Sequence, residues 1–328
     1  MRRVRSPRQL SPVVWKPPPA TPARAGALAP EVGVVPVPGD GPEDVLVGDD
    51  GSVVAGLVDG RVVRVSADGR TITTVCDTGG RPLGLEWLPD GSLLVCDSRR
   101  GLLRVDAEGN IEELATEADG QPFVFCNNAA VTADGTIYFA DSSARFGIDE
   151  WKADLLEHSS TGRLLRRTPD GAVDVLRTGM SFPNGVALSA DEKRLFVAET
   201  SSYRLLRMDL PDGELTEAAA LPGFPDNIAR GSDGLIWVAV ASPRDAVLDF
   251  LLPRHPVLRK LAWALPDALQ PKPKKVITIQ AYDDTGRLVH DIVTRHPDFS
   301  MPTGVREAGG TVWLGSLDTS CLAWFHTP

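Results

Sequence analysis

A short unit recurs along this chain and leaves few folds open to it. In its clearest copy, Asn127-Asn128-Ala129-Ala130-Val131-Thr132-Ala133-Asp134-Gly135 runs into the apolar stretch Thr136-Ile137-Tyr138-Phe139-Ala140. Alternating residues, an Asp-Gly turn and an immediate return strand mark a β-hairpin. Similar units begin at Glu43, Leu83, Asn184, Asp226 and near Pro302. A spacing of roughly 40–60 residues belongs to propellers rather than helical solenoids. The runs are short and rich in Val, Leu and Ile, which is sheet chemistry.

Each unit carries four strands. In the first they are Asp44–Val47, Val53–Leu57, Arg61–Val65 and Thr71–Val75. The third and fifth units are interrupted by insertions, Ser142–Thr161 and Ala241–Lys275. In the latter, Asp245–Leu252 and Pro256–Leu265 have helical spacing of apolar residues. The sixth unit lacks its fourth strand, and Val32–Val37 is a spare strand at the other end of the chain. Pairing the two closes the ring and removes an open edge; a proline is tolerable on such an outermost strand. The expected fold is all-β: a six-bladed β-propeller over residues 31–328, closed by the N-terminal strand, with helical insertions in blades three and five. Residues 1–30, with Lys16-Pro17-Pro18-Pro19 and Pro22, read as a flexible Pro-rich arm.

Composition narrows the partners. Across 328 residues the net charge is −10, which argues against nucleic acid, since phosphate binding needs a basic surface. No apolar run reaches membrane-spanning length, and the basic start Met1-Arg2-Arg3 is followed by no apolar leader segment. A cytoplasmic protein acting on a small molecule, monomeric or dimeric, is expected. Cys76, Cys96, Cys126 and Cys321 have no metal-ligand spacing; reduced thiols are the default, with a Cys76–Cys96 bridge as the alternative.

The chemistry lies at the start of each unit. Eight residues before the turn position held by Gly51, Gly91, Gly135, Glu192 and Gly234 stand Glu43, Leu83, Asn127, Asn184 and Asp226. In a propeller these positions face one mouth of the central channel. Glu43, Asn127, Asn184 and Asp226 then form a hard-oxygen set suited to Ca²⁺ or another divalent cation, and the lack of His or Cys disfavours zinc. The alternative is that Asn and Asp simply favour strand ends. Asp97, Asp141 and Glu199 end the second strands near the same mouth, either holding ligand amides or bonded to nearby backbone. The insertions rise from that face, so Phe146, Trp151, Leu155, Phe250 and Leu251 are candidates to roof an apolar pocket, with Asp141 and Thr303 beneath them. None of the five histidines falls on an inner strand.

Gly80-Arg81-Pro82-Leu83-Gly84-Leu85, Phe182-Pro183-Asn184-Gly185-Val186-Ala187 and Leu221-Pro222-Gly223-Phe224-Pro225-Asp226-Asn227-Ile228 resemble the strictosidine synthase-like branch of the gluconolactonase/regucalcin superfamily. So do Ile137–Ser143, Gly162–Leu165 and the insert ending Gln270-Pro271-Lys272-Pro273-Lys274. The resemblance runs from about residue 40 to the end of the chain. It implies the same six-bladed propeller, and a Glu, Asn and Asp at inner-strand starts holding a divalent cation, matched here by Glu43, Asn127, Asn184 and Asp226. Two departures stand out. Paraoxonase-type enzymes use a histidine in the second blade, where this chain has Leu83. Strictosidine synthases place a glutamate at the start of the sixth inner strand, where this chain reads Met301-Pro302-Thr303-Gly304.

The function expected is a Ca²⁺-dependent hydrolase of a lactone or related ester. Asp226 or Glu199 takes the proton from the attacking water. The rival is a ligand-binding or scaffold propeller with a structural ion; a carbon–nitrogen bond-forming enzyme ranks third.

Overall fold

In the computed structural model, residues 10–20, 27–265 and 274–327 are described. Six four-stranded antiparallel sheets succeed one another along the chain, each running from an inner strand outward in sequence order. The inner strands are Val45–Val47, Pro82–Trp87, Cys126–Val131, Pro183–Leu188, Gly223–Arg230 and Pro302–Ala308. The sixth sheet takes its outermost strand from Gly33–Pro36, which pairs antiparallel with Cys321–His326 from Gly33 opposite Trp324 to Pro36 opposite Cys321. The closure expected from the spare N-terminal strand is therefore present. Pro36 sits at the sheet edge, where its missing N–H removes no ladder bond.

The hairpins turn where the sequence places them. Gly51, Gly91, Gly135 and Gly234 all have positive φ, and so does Glu192 at φ 55°, the non-glycine member of the series. Between blades the faces interdigitate in dry clusters. Trp237, Ala239, Ile277 and Ile279 meet Val305, Val312 and Leu314 between blades five and six, all essentially buried. A small hairpin not foreseen from sequence, Glu117–Ala118 with Gln121–Pro122, leads into blade three.

The helical insertions stand where expected. In blade three a 3₁₀ turn, Ile148–Glu150, leads into α1, Trp151–Glu157; in blade five the helices are α2, Ala246–Leu251, and α3, Val257–Trp263. The N-terminal arm differs from its expected looseness where it is described; residues 1–9 and 21–26 of it lie outside the described residues. Residues 10–20 run across all three helices. Leu10 is buried beside Phe146, Ala153, Leu156 and Trp263, Val13 N donates to Glu157 O and Trp15 N to Leu252 O. Trp15 stacks on His158 with ring centroids 4.2 Å apart. Prolines make this segment extended, and an extended strand with free backbone groups can bridge two helical units. All four cysteines are free, so no Cys76–Cys96 bridge forms. Among the described residues no helix is long and apolar enough to cross a membrane.

Candidate functional site

The site begins with a repeated backbone irregularity. In blades two to six the inner strand loses register with its neighbour over two residues, between Pro82 and Leu85, Cys126 and Ala129, Pro183 and Val186, Pro225 and Ile228, and Pro302 and Val305. Such bulges re-aim side chains. They fall on Leu83-Gly84, Asn127-Asn128, Asn184-Gly185, Asp226-Asn227 and Thr303-Gly304. Glu43-Asp44 precedes the blade-one ladder in the same way, with Glu43 N donating to Gly56 O.

The second members of these pairs alternate around the ring: Asp44, Gly84, Asn128, Gly185, Asn227, Gly304. Each glycine lies under the backbone of the next blade. A Cβ at Gly84 would lie 2.6 Å from Asn128 Cα, one at Gly185 2.2 Å from Ile228 N, and one at Gly304 2.7 Å from Asp44 Cα. Even blades thus yield space to odd ones. The odd blades' side chains knit a polar layer in return. Asn128 Nδ2 donates to Asp44 Oδ2 and its Oδ1 accepts from Val186 N; Asn227 Nδ2 donates to both oxygens of Glu43 at 3.1 and 3.2 Å.

The first members do meet. Glu43, Asn127, Asn184 and Asp226 all line one cavity of about 370 Å³. Asn184 Nδ2 donates to Asp226 Oδ1 at 2.7 Å, and Asn127 Nδ2 to Ser142 Oγ at 2.9 Å. The amide oxygens of Asn127, Asn184 and Asn227 are buried without a hydrogen-bond partner, a costly condition for a protein interior. Burial, joined by the charges of Asp226 and Asp44, holds the Glu43 carboxyl well above its usual range. Burial likewise pushes Asp226 up to about 7, against the Asn184 hydrogen bond. Orphaned amide oxygens beside two crowded carboxylates fit a hard divalent cation, which would relieve both conditions. Among the described residues no three His, Cys, Asp or Glu side chains gather as a metal cluster, so a cation here would rest on amide oxygens as much as on carboxylates.

Other expected residues lie elsewhere. Glu199 does not line the cavity; its oxygens accept from Ser181 N and Arg204 Nε. Asp141 accepts from Phe125 N and is ion-paired with Arg163 at 2.6 Å, and Asp97 accepts from Arg81 N. These acids pin the approach to the inner strands of their own blades by backbone bonds, and none holds a ligand amide. Thr303 is fully buried and donates to Glu43 O. Phe146 packs under Leu10 instead of facing the cavity, and Phe250 points outward, 54% exposed. Trp151, Leu155 and Leu251 do line it.

Sequence reasoning missed two groups. The residues two positions before the ring, Phe125, Phe182, Phe224 and Met301, form the cavity wall together with Leu83; Phe125 and Phe182 meet edge to face at 5.2 Å. The same counting, shifted by two, would have found them. The hydroxyls following the strand-two acids were also missed. Ser142 Oγ donates to Pro183 O and Thr200 Oγ1 to Pro225 O, holding the residue before Asn184 and before Asp226.

The SMP-30/gluconolactonase/LRE-like family model matches residues 57–250, and the strictosidine synthase-like N-terminal model residues 33–65. Strictosidine synthase-like protein 6 of Arabidopsis thaliana is 33% identical over 288 residues, covering 84% of this chain and 76% of that protein. The adipocyte plasma membrane-associated protein of Salmo salar is 33% identical over 322 residues, 85% of this chain and 76% of its own length. Among solved structures, a gluconolactonase from Xanthomonas campestris superposes with a TM-score of 0.67 at 19% identity, covering 96% of this chain and 99% of that one. A calcium-binding regucalcin from Agrobacterium tumefaciens gives 0.64 at 16%, covering 92% and 95%; at these identities both speak to the fold alone.

Proposed function

Because the chain belongs to the SMP-30/gluconolactonase/LRE-like family and carries a strictosidine synthase-like N-terminal segment, we propose that it is a divalent-metal-dependent hydrolase of a lactone or related ester. The observation that carries this reading is the floor of the cavity: Glu43, Asn127, Asn184 and Asp226 converge there while the amide oxygens of Asn127 and Asn184 have no partner. Those four would hold the ion, with Ca²⁺ the best match to all-oxygen donors. When bound, such an ion polarises a carbonyl and stabilises an oxyanion.

The chain's own residues do the rest. Asn184 fixes Asp226 through Oδ1, leaving Oδ2 to take the proton of the attacking water. Asn227 holds Glu43 from behind, so both carboxylates keep one orientation. The wall of Leu83, Phe125 and Phe182 excludes bulk water, which strengthens every charge interaction on the floor. Glu199, bonded to Arg204 and Ser181 N, has no part in this scheme. A carbon–nitrogen bond-forming reaction lacks its sixth-blade acid. The one glutamate of that inner strand, Glu307, is bonded to Ser232 at the far end.

The second reading, a binding propeller stabilised by a structural ion, is favoured by Leu83, an inert wall residue where a catalytic base would stand. A lactone and aryl-ester panel, with and without EDTA, separates the two. Hydrolysis abolished by EDTA, and lowered ~10²–10⁴-fold in Asp226→Asn with unchanged circular dichroism, is the expected result. Turnover indifferent to both would remove Asp226 and the ion from the reaction. Thermal stabilisation by Ca²⁺ with no turnover would establish the second reading.

A further inference from the structure

Within the hydrolase reading, on which this inference rests, we propose that the substrate is a hydroxyl-poor lactone or ester bearing an apolar tail, and that polyhydroxylated sugar lactones are excluded. Above the four floor residues the cavity offers few free polar atoms, Asp245 Oδ2 and the Lys152 ammonium chief among them. Thr200 Oγ1 is spent on Pro225 O, Ser242 Oγ on Pro243 O, and Asp245 Oδ1 on Leu248 N at the start of α2. Lys152 is exposed on α1 and lies 5.4 Å from the Trp151 ring.

The rest of the lining is predominantly apolar. The scaffold supplies Leu83, Phe125, Phe182, Phe224 and Met301; the insertions supply Trp151, Leu155, Leu248 and Leu251. A sugar lactone brings several hydroxyls, each of which would give up water for no partner here. Each hydroxyl buried without a partner lowers affinity by about 5- to 150-fold, and several together exclude such a ligand. An alkyl tail meets the opposite situation. Each methylene moved from water onto this wall raises affinity about fourfold, until a cavity of about 370 Å³ is full. The ring carbonyl, the one polar part of such a molecule, would point to the floor, where the polar atoms are.

The test uses the full-length protein with Ca²⁺ and a series of δ-lactones, hexano-, octano- and decano-, beside glucono-δ-lactone. The expected kcat/KM rises about fourfold per methylene along the alkyl series and is at least ~100-fold lower for glucono-δ-lactone, a discrimination typical of unpaired polar groups. Leu155→Gln and Leu248→Gln, at half-buried roof positions, flatten the chain-length slope. Glucono-δ-lactone turned over as well as the alkyl lactones overturns the proposal. If no lactone is hydrolysed, the hydrolase reading has failed, and binding decides the present one through tryptophan fluorescence with the matching alkyl δ-lactams and gluconolactam. Affinity rising with tail length sustains it; preference for the gluconolactam, or no length dependence, overturns it.

Discussion

The floor and the roof of the cavity are built on opposite plans. The floor comes from the starts of inner strands, at matching positions in blades one, three, four and five. It is tied together across blades by Asn184 on Asp226, Asn227 on Glu43 and Asn128 on Asp44, while Asn127 is held within its own blade by Ser142. The roof comes from segments that occur once, α1, α2 and α3, fastened by residues 10–20 and by Arg259. That guanidinium is fully buried and donates to Leu156 O, Glu157 O and Val13 O. Repetition gives the floor rigid placement of polar atoms, as chemistry requires. The roof turns apolar side chains to the cavity and exposes others, Phe250 and Leu261 among them, while its charged Arg259 and Glu157 are spent on fastening the helices. On the hydrolase reading proposed above, reaction type would belong to the floor and substrate choice to the roof and wall.

Three measurements press on this contrast. The largest effect is expected from Gly185→Ala, because the new Cβ would sit 2.2 Å from Ile228 N and 2.7 Å from Asn227 Cα, backbone of the next blade that cannot turn aside. Overpacking of this kind destabilises by ~1–3 kcal/mol or more, and the whole propeller should lose stability in urea along with the floor. A wild-type midpoint would mean that the floor is softer than its packing implies. Next comes Arg259→Met on the roof. Losing charged donors to three carbonyls should weaken the strap locally by ~1.5–3 kcal/mol, so limited proteolysis at residues 10–20 speeds up at least about tenfold while the main unfolding transition stays put. A shift of the main transition instead would show the roof and propeller to be one cooperative unit.

The smallest effect concerns pH. Burial, aided by the charges of Arg259 and Arg204, lowers His158 to about 4. The folded roof then binds fewer protons than the unfolded chain between the ordinary value of 6.5 and about 4. Its stability is full above that window and falls as pH drops through it. Asp154 works the other way, since burial raises it to about 6 and protonation favours the folded form as pH falls. Proteolysis of the strap should therefore quicken from pH 7 to pH 5 in the wild type by a few-fold. His158→Asn tolerates the left-handed backbone at φ 55° and should reverse the trend, leaving Asp154 alone. An unchanged profile in that variant would relieve His158 of the role.

Much of this was legible beforehand, for local reasons. Asp-Gly turns and short apolar runs show the hairpins, and Gly33–Pro36 closes blade six as the spare strand implied. That Glu43, Asn127, Asn184 and Asp226 face one cavity was legible too, because one offset from each turn selects the same position at the start of each inner strand. The acids of strand two were harder. Asp141 and Glu199 resemble Asp226 in sequence, yet their oxygens are taken by Arg163 and Arg204 and by backbone amides. Phe146 and Phe250 show the same limit: an apolar side chain in an insertion, whether in the loop before α1 or on α2, tells that something will be packed there but not what it meets.

What the chain alone determined, then, is the blade repeat and the ring of oxygen-bearing side chains, which follow from residues within one hairpin's reach, and the closure, which follows from a spare strand at one end of the chain and a missing one at the other. What only the folded molecule decided is the alternation of glycine with Asp44, Asn128 and Asn227, the strap over the roof and the apolar character of the cavity. Each of these depends on contacts between residues 40 to 250 positions apart, as between Asn227 and Glu43 (|i−j| of 184) or Arg259 and Val13 (246). No local pattern encodes which neighbour will arrive there.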